Sequence, residues 1–199
     1  AGDYILTITD SNGCNISETY TVTEPDDIIL TLDLINELAC EGDDDGEINI
    51  TVVGGTGPGT YIYSWTASNG GVVPAGQESD EDLTGLVVGD YTVVVTDTNG
   101  CDETETYIIS EPSEITIDGQ ISDYNGSGVS CNGYNDGWIN IDVSNGSGSF
   151  IYNWVTADGN LNGQDANEDL TGLVAGTYSL LVEDLNGCEA NSEYVITEP

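Results

Sequence analysis

The chain has no lysine, no arginine, no histidine and no methionine among its 199 residues. Against those absences stand 37 aspartates and glutamates, for a formal net charge of −37. Each absence removes a class of function. Nucleic-acid binding by phosphate neutralisation needs Lys or Arg, and attraction to an anionic membrane needs the same residues. Without His or Lys, the commonest general bases and every Schiff-base nucleophile are missing. No salt bridge between side chains can form. No apolar run reaches the ~18 residues that a membrane-spanning helix requires. With no initiator Met and no leader-like opening, residue 1 reads as a start inside a longer polypeptide.

What is present is the composition of a folded β protein. One-sided charge favours disorder when apolar residues are few, but here 38% of residues are hydrophobic, with 11 Tyr and 3 Trp. Pro is scarce at five, and the 26 Gly suit many turns.

Self-comparison decides the organisation. Asp10-Ser-Asn-Gly-Cys14 recurs as Asp97-Thr-Asn-Gly-Cys101 and as Asp184-Leu-Asn-Gly-Cys188, each step 87 residues. Pro25, Pro112 and Pro199, each preceded by Glu, keep the same period. The front parts align with small insertions. Cys40 to Gly46 matches Cys131 to Gly137, Gly54 to Gly57 matches Asn145 to Gly148, Tyr61 to Trp65 matches Phe150 to Trp154, and Glu81 to Leu86 matches Glu168 to Leu173. Residues 26–112 and 113–199 therefore read as complete repeats, and residues 1–25 as the C-terminal part of a preceding one.

Within a repeat the hydrophobic period is two. Ile48, Ile50 and Val52 alternate with Glu47, Asn49 and Thr51, and Tyr91, Val93 and Val95 share a face. The pattern predicts strands near 27–35, 47–53, 61–66, 83–86, 90–97 and 103–110, with turns at Asp45-Gly46, Asn69-Gly70 and Asn99-Gly100. No stretch reads as a helix. So many short strands per repeat predict an all-β fold of tandem immunoglobulin-like antiparallel β-sandwiches.

Each complete repeat has one Cys before its second strand and one before its last. That spacing predicts Cys40–Cys101 and Cys131–Cys188 disulfides, with Cys14 paired to a residue upstream of the chain. Disulfides imply an oxidising, extracellular compartment. Thiolate metal binding is the rival reading, but it needs clustered ligands.

The acidic residues offer candidate calcium sites, each beside a plainer role. Asp10, Asp97 and Asp184 lie in Asn-Gly turns, where Asn-Gly supplies positive φ and an Asp side chain caps nearby amides; a calcium ligand is the alternative. Asp43, Asp44 and Asp45 form the densest run, with Asp136 in the matching turn of the second repeat. A solvated turn and a calcium site both fit. Glu81 and Asp82 recur as Glu168 and Asp169 and are the better candidates. A cation between repeats, near Glu111 or Asp26 and Asp27, is a further option. Calcium, the alternative to those plainer roles, is the one cofactor the sequence offers; otherwise it points to none. Trp65 and Trp154 sit mid-strand on an aromatic face and predict core packing, whereas Trp138 lies on a polar face and predicts a surface or inter-repeat contact. Paired carboxylates could hydrolyse glycosides, but a copy in every repeat with no cleft-sized insertion argues against an enzyme.

Leu83 to Cys101, together with the Cys40 to Gly46 turn, the Gly54 to Gly57 segment, the Tyr61 to Trp65 strand and the closing Glu-Pro, resembles the SprB repeat of Bacteroidetes gliding-motility adhesins. The resemblance implies a long cell-surface protein exported by the type IX secretion system, forming filaments that move along the cell and attach to surfaces. These repeats would be its shaft, with neighbouring repeats of the same polypeptide as first partners and other copies or the motility machinery as further ones. The alternative is a calcium-dependent module whose repeats themselves bind glycan or surface. A shaft role predicts that the 67–80 and 155–167 loops vary without loss of folding. The Asn15, Asn49, Asn125 and Asn145 sequons read as chance in a bacterial chain.

Overall fold

The computed structural model describes residues 1–57 and 59–199. The described residues form fourteen strands and no helix. None of the described segments is a helix long and apolar enough to cross a membrane. The chain divides into two compact units. The first comprises Ala1–Ile35, Glu47–Thr84 and Asp90–Ile108, and the second Asn36–Gly46, Gly85–Gly89 and Ile109–Pro199.

The first unit opens with an antiparallel hairpin, β1 (Gly2–Thr9) and β2 (Asn15–Val22), which forms a two-stranded sheet by itself. The next two sheets along the chain are three-stranded, and a few of their end residues, Asn36, Gly46, Gly85, Leu86, Gly89 and Ile109, belong to the second unit. One has the order β3 (Asp26–Asn36), β4 (Gly46–Gly55), β6 (Leu83–Leu86). The other has the order β5 (Ile62–Ser68), β7 (Gly89–Thr96), β8 (Asp102–Ile109). Alternation decides which side chains go inside: Ile48, Ile50, Val52, Tyr91, Val93 and Val95 are buried, as is Trp65.

The second unit repeats the plan. One sheet has the order β12 (Leu170–Leu173), β10 (Gly137–Ser144), β9 (Thr116–Ile121). The other has β11 (Phe150–Thr156), β13 (Gly176–Asp184), β14 (Glu189–Ile196). All its pairings are antiparallel. Both sheets feed one core: Ile139, Ile141 and Leu170 from the first meet Trp154, Tyr178 and Leu180 from the second. Two antiparallel sheets around one apolar layer make a β-sandwich.

The expected strands all form, with ends shifted by a residue or two, as fraying ends do. The turn chemistry differs from expectation at two places. In the Asn-Gly-Cys hairpins only Gly13, Gly100 and Gly187 take positive φ, and the preceding Asn does not. Each is a type I turn followed by a left-handed Gly, with the Gly amide donating to the Asp carbonyl at 3.1 Å. At Asp45-Gly46 there is no tight turn; Gly46 already begins β4, and Gly42 supplies the positive φ of that loop. Asn69 and Gly70 do both take positive φ.

Candidate functional site

The three Asn-Gly-Cys hairpins are built alike. Asp97 Oδ1 accepts from the Asn99 and Cys101 amides, both at 2.9 Å. Asp184 Oδ1 accepts from Asn186 at 2.8 Å and Cys188 at 3.0 Å. Asp10 does the same to Asn12 and Cys14, at 2.9 Å. In the two complete repeats the second oxygen reaches across to another loop: Thr56 N donates to Asp97 Oδ2 and Ser147 N to Asp184 Oδ2, each at 2.8 Å. Asp97 and Asp184 are both buried. The Thr56 amide does most to hold the Asp97 carboxyl below the usual range. Burial pushes Asp184 up, but the bonds from Ser147, Cys188 and Asn186 outweigh it and its pKa is also lowered.

The front loops form a second matching pair. Asp43 Oδ2 accepts from Cys40 N at 3.1 Å, and Asp45 Oδ1 from Ala39 N at 3.3 Å. In the other loop Asp136 Oδ1 accepts from Ser130 N at 3.0 Å, and hydrogen bonds from Ser130 lower its pKa. Two residues of the Glu-Pro junctions complete these loops. Gly42 N donates to Glu111 Oε2 at 2.8 Å, and Gly133 N to Glu198 Oε2 at 3.0 Å. Sequence reasoning placed Glu111 near a cation and gave Glu198 no role; their recurrence at the repeat period was the signal for a shared structural one.

The Glu-Asp pairs are equally occupied. Ile50 N donates to Asp82 Oδ1 at 2.9 Å and Ile141 N to Asp169 Oδ1 at 3.0 Å, so each carboxylate caps the sheet beside it. Glu81 accepts from the Tyr63 phenol, whose pKa is raised by burial and then by that carboxylate. Glu168 stands in the same relation to Tyr152, again behind burial. The residues expected as calcium ligands thus bind backbone amides and phenols. Among the described residues no three Cys, Asp or Glu side chains converge to hold a metal ion.

Trp65 and Trp154 are core residues, and their indole N–H groups donate at 2.9 Å to the Asp80 and Asn167 carbonyls. Trp138 is exposed on its strand.

The cysteines depart from expectation. The structure joins Cys40 to Cys188, with Cα atoms 5.4 Å apart, and leaves Cys14, Cys101 and Cys131 as exposed thiols. The expected Cys40–Cys101 and Cys131–Cys188 bonds are not made. The reason is visible in the second unit. Cys188 precedes the eight-residue strand β14, while the Cys131 loop is tied by Gly133 to Glu198 beyond its far end. That strand spans about 27 Å, far beyond the ~4.4–6.8 Å between the Cα atoms of a disulfide.

Comparisons with known proteins agree with the architecture. No curated protein matches the chain. Among solved structures, the N-terminal eight Ig domains of Down Syndrome Cell Adhesion Molecule isoform 1.30.30 align with TM-score 0.52 and 11% identity, covering 100% of this chain and 28% of that one. The insect immune protein hemolin aligns with TM-score 0.39 and 11% identity, over 99% of this chain and 56% of that one. The mouse nectin-like molecule 4 ectodomain gives 0.36 and 17%, over 87% and 64%. The chain therefore spans under a third of the Down Syndrome molecule fragment, and at that identity the likeness concerns the immunoglobulin-like fold alone. Residues 35–70 match the SprB repeat family. They take in the Cys40 loop, β4 and the Tyr61 to Trp65 strand, whose counterparts follow in the second repeat, so the segment similar to the SprB repeat is one that the chain itself repeats.

Proposed function

We propose that this chain is shaft material of a long extracellular adhesin, a non-catalytic repeat region that presents an adhesive end for surface attachment and gliding motility after type IX secretion. The observation that carries this reading is repetition of the closed sandwich. The same capped hairpin, front loop and Trp-anchored loop occur in both complete repeats. Repeat architectures of this kind grow by adding units. The recurring carboxylates accept backbone amides and phenols, which supports a structural role over a catalytic one. The SprB match and the immunoglobulin-like fold support a place on the cell surface. The large negative charge keeps neighbouring shafts apart.

The test has two arms. Scattering from arrays with increasing repeat number should give a maximum dimension that grows in proportion to that number. Beads coated with this chain should not attach to glass or polysaccharide, with or without calcium. Calcium-dependent attachment by the chain itself would replace the shaft reading with that of a binding module.

A further inference from the structure

The Cys40–Cys188 bond joins the front loop of one repeat to the Asn-Gly-Cys hairpin of the next. We propose that this bond is a periodic staple: in an array, each front-loop cysteine bonds to the hairpin cysteine of the following repeat. Cys131 is then the donor half for a following hairpin, and Cys101 and Cys14 are the acceptor halves for preceding front loops. The proposal rests on the repeat register and does not require the adhesive role.

Both halves are presented alike wherever they occur. Asp43 N donates to Cys40 O at 3.3 Å, and Tyr134 N to Cys131 O at 3.0 Å. Leu38 N donates to Ser110 O at 3.1 Å, and Val129 N to Thr197 O at 3.0 Å, so each loop is fastened to the end of its own repeat. Each hairpin cysteine in turn has its amide held by the carboxylate of the Asp four residues before it.

The surroundings repeat too. The bonded Cys188 borders a niche of about 330 Å³ lined by Pro112, Glu114, Ile115 and Gly146. Cys101 borders a niche lined by Pro25, Asp27, Ile28 and Gly55, the same positions one repeat earlier. The floors agree in detail. A Cβ on Gly146 would meet Ile115 Cγ1 at 2.8 Å and Asp184 Oδ2 at 3.0 Å, and one on Gly55 would meet Ile28 Cγ1 at 2.9 Å and Asp97 Oδ2 at 3.2 Å. The niche that receives a front loop beside Cys188 is thus built again beside Cys101.

Formation needs a disulfide oxidant, such as a thiol–disulfide oxidoreductase or oxidised glutathione. One cysteine, as thiolate, attacks the oxidant's S–S bond and releases one oxidant thiol; the second thiolate displaces the other and closes the staple. The two cysteine thiols lose two electrons and two protons, and the oxidant's disulfide gains them.

The experiment extends the full chain after Pro199 with a second copy of residues 113–199. The product is oxidised, alkylated and cut with Glu- and Asp-directed proteases, since trypsin has no site in this chain. In the parent chain Cys131 should be alkylated and Cys40 linked to Cys188. In the extended chain Cys131 alkylation should fall to background, with Cys131 linked to the added copy's hairpin cysteine. Replacing that added cysteine by Ser should restore alkylation while Cys40–Cys188 stays intact. A Cys131 that remains alkylated beside an intact Cys40–Cys188 bond overturns the proposal. So does a Cys131–Cys188 bond, or a parent chain in which Cys40 is not linked to Cys188.

Discussion

Asp184 accepts three backbone amides with a side chain that water scarcely reaches. Its carboxyl, like that of Asp97, titrates below the ordinary aspartate range of about 3.9. The unfolded state therefore binds the proton first. The contribution to stability is complete above about pH 4 and disappears as pH falls through the lower folded value. Asp184→Asn should lower the melting temperature at pH 7, and the difference from the parent should close as pH drops below about 4, as read by melting curves across pH. Side-chain burial was legible in the sequence where strand parity decides it. Trp154 lies on the aromatic face and is 1% exposed; Trp138 lies on the polar face and is 36% exposed. Trp154→Ala should cost about 3–5 kcal/mol and Trp138→Ala about 0.5 kcal/mol or less, measured by denaturant unfolding. The partners of Asp82, Glu111 and Glu198 were not legible, because a carboxylate's amide donor is chosen by tertiary approach and leaves no local pattern.

At the scale of elements, strands were readable because one face of each sheet is buried and the side-chain period is two. Loops were less so. The 67–80 and 155–167 segments, which a shaft role expects to vary without loss of folding, are anchored in the same way in both repeats. Trp65 N donates to Glu78 O at 3.0 Å and Trp154 N to Asp165 O at 2.8 Å, so each loop pairs with the strand it leaves. Gln164 holds the second loop to β12, donating to Thr171 O at 2.8 Å and accepting from Thr171 N at 3.1 Å; Gln77 repeats this with Thr84. Loop length can change only where these anchors survive. Gln164→Ala should destabilise by about 1 kcal/mol and speed amide exchange at Thr171 more than at β13, which hydrogen-exchange mass spectrometry would resolve. The β1–β2 hairpin shows the converse. Its Tyr4, Leu6 and Ile8 match the buried Tyr91, Val93 and Val95 but are exposed, and its sheet has only those two strands.

For the whole molecule, charge and connectivity matter most. Thirty-seven acidic side chains have no basic side chain to answer them. Self-repulsion of that kind is screened as the Debye length contracts from ~10 Å at 0.1 M salt to ~3 Å at 1 M. The melting temperature should therefore rise with sodium chloride over that range, a trend calorimetry would show. The repeat period identified two kinds of cysteine but not their partners, since connectivity does not follow from spacing alone. Pairing within a repeat looked natural in one dimension; the length of one strand forbids it in three.

The staple between Cys40 and Cys188 also has a mechanical meaning. When the chain is pulled from its ends, tension passes through the sulfur atoms and bypasses the residues between them. The sequence separation is 148, which is ~500 Å of extended chain that cannot lengthen while the bond holds. Optical-tweezer traces should show the oxidised chain reaching its limit about 500 Å short of the reduced one. While that bond holds, only the residues outside it can lengthen under load, and reduction releases the rest.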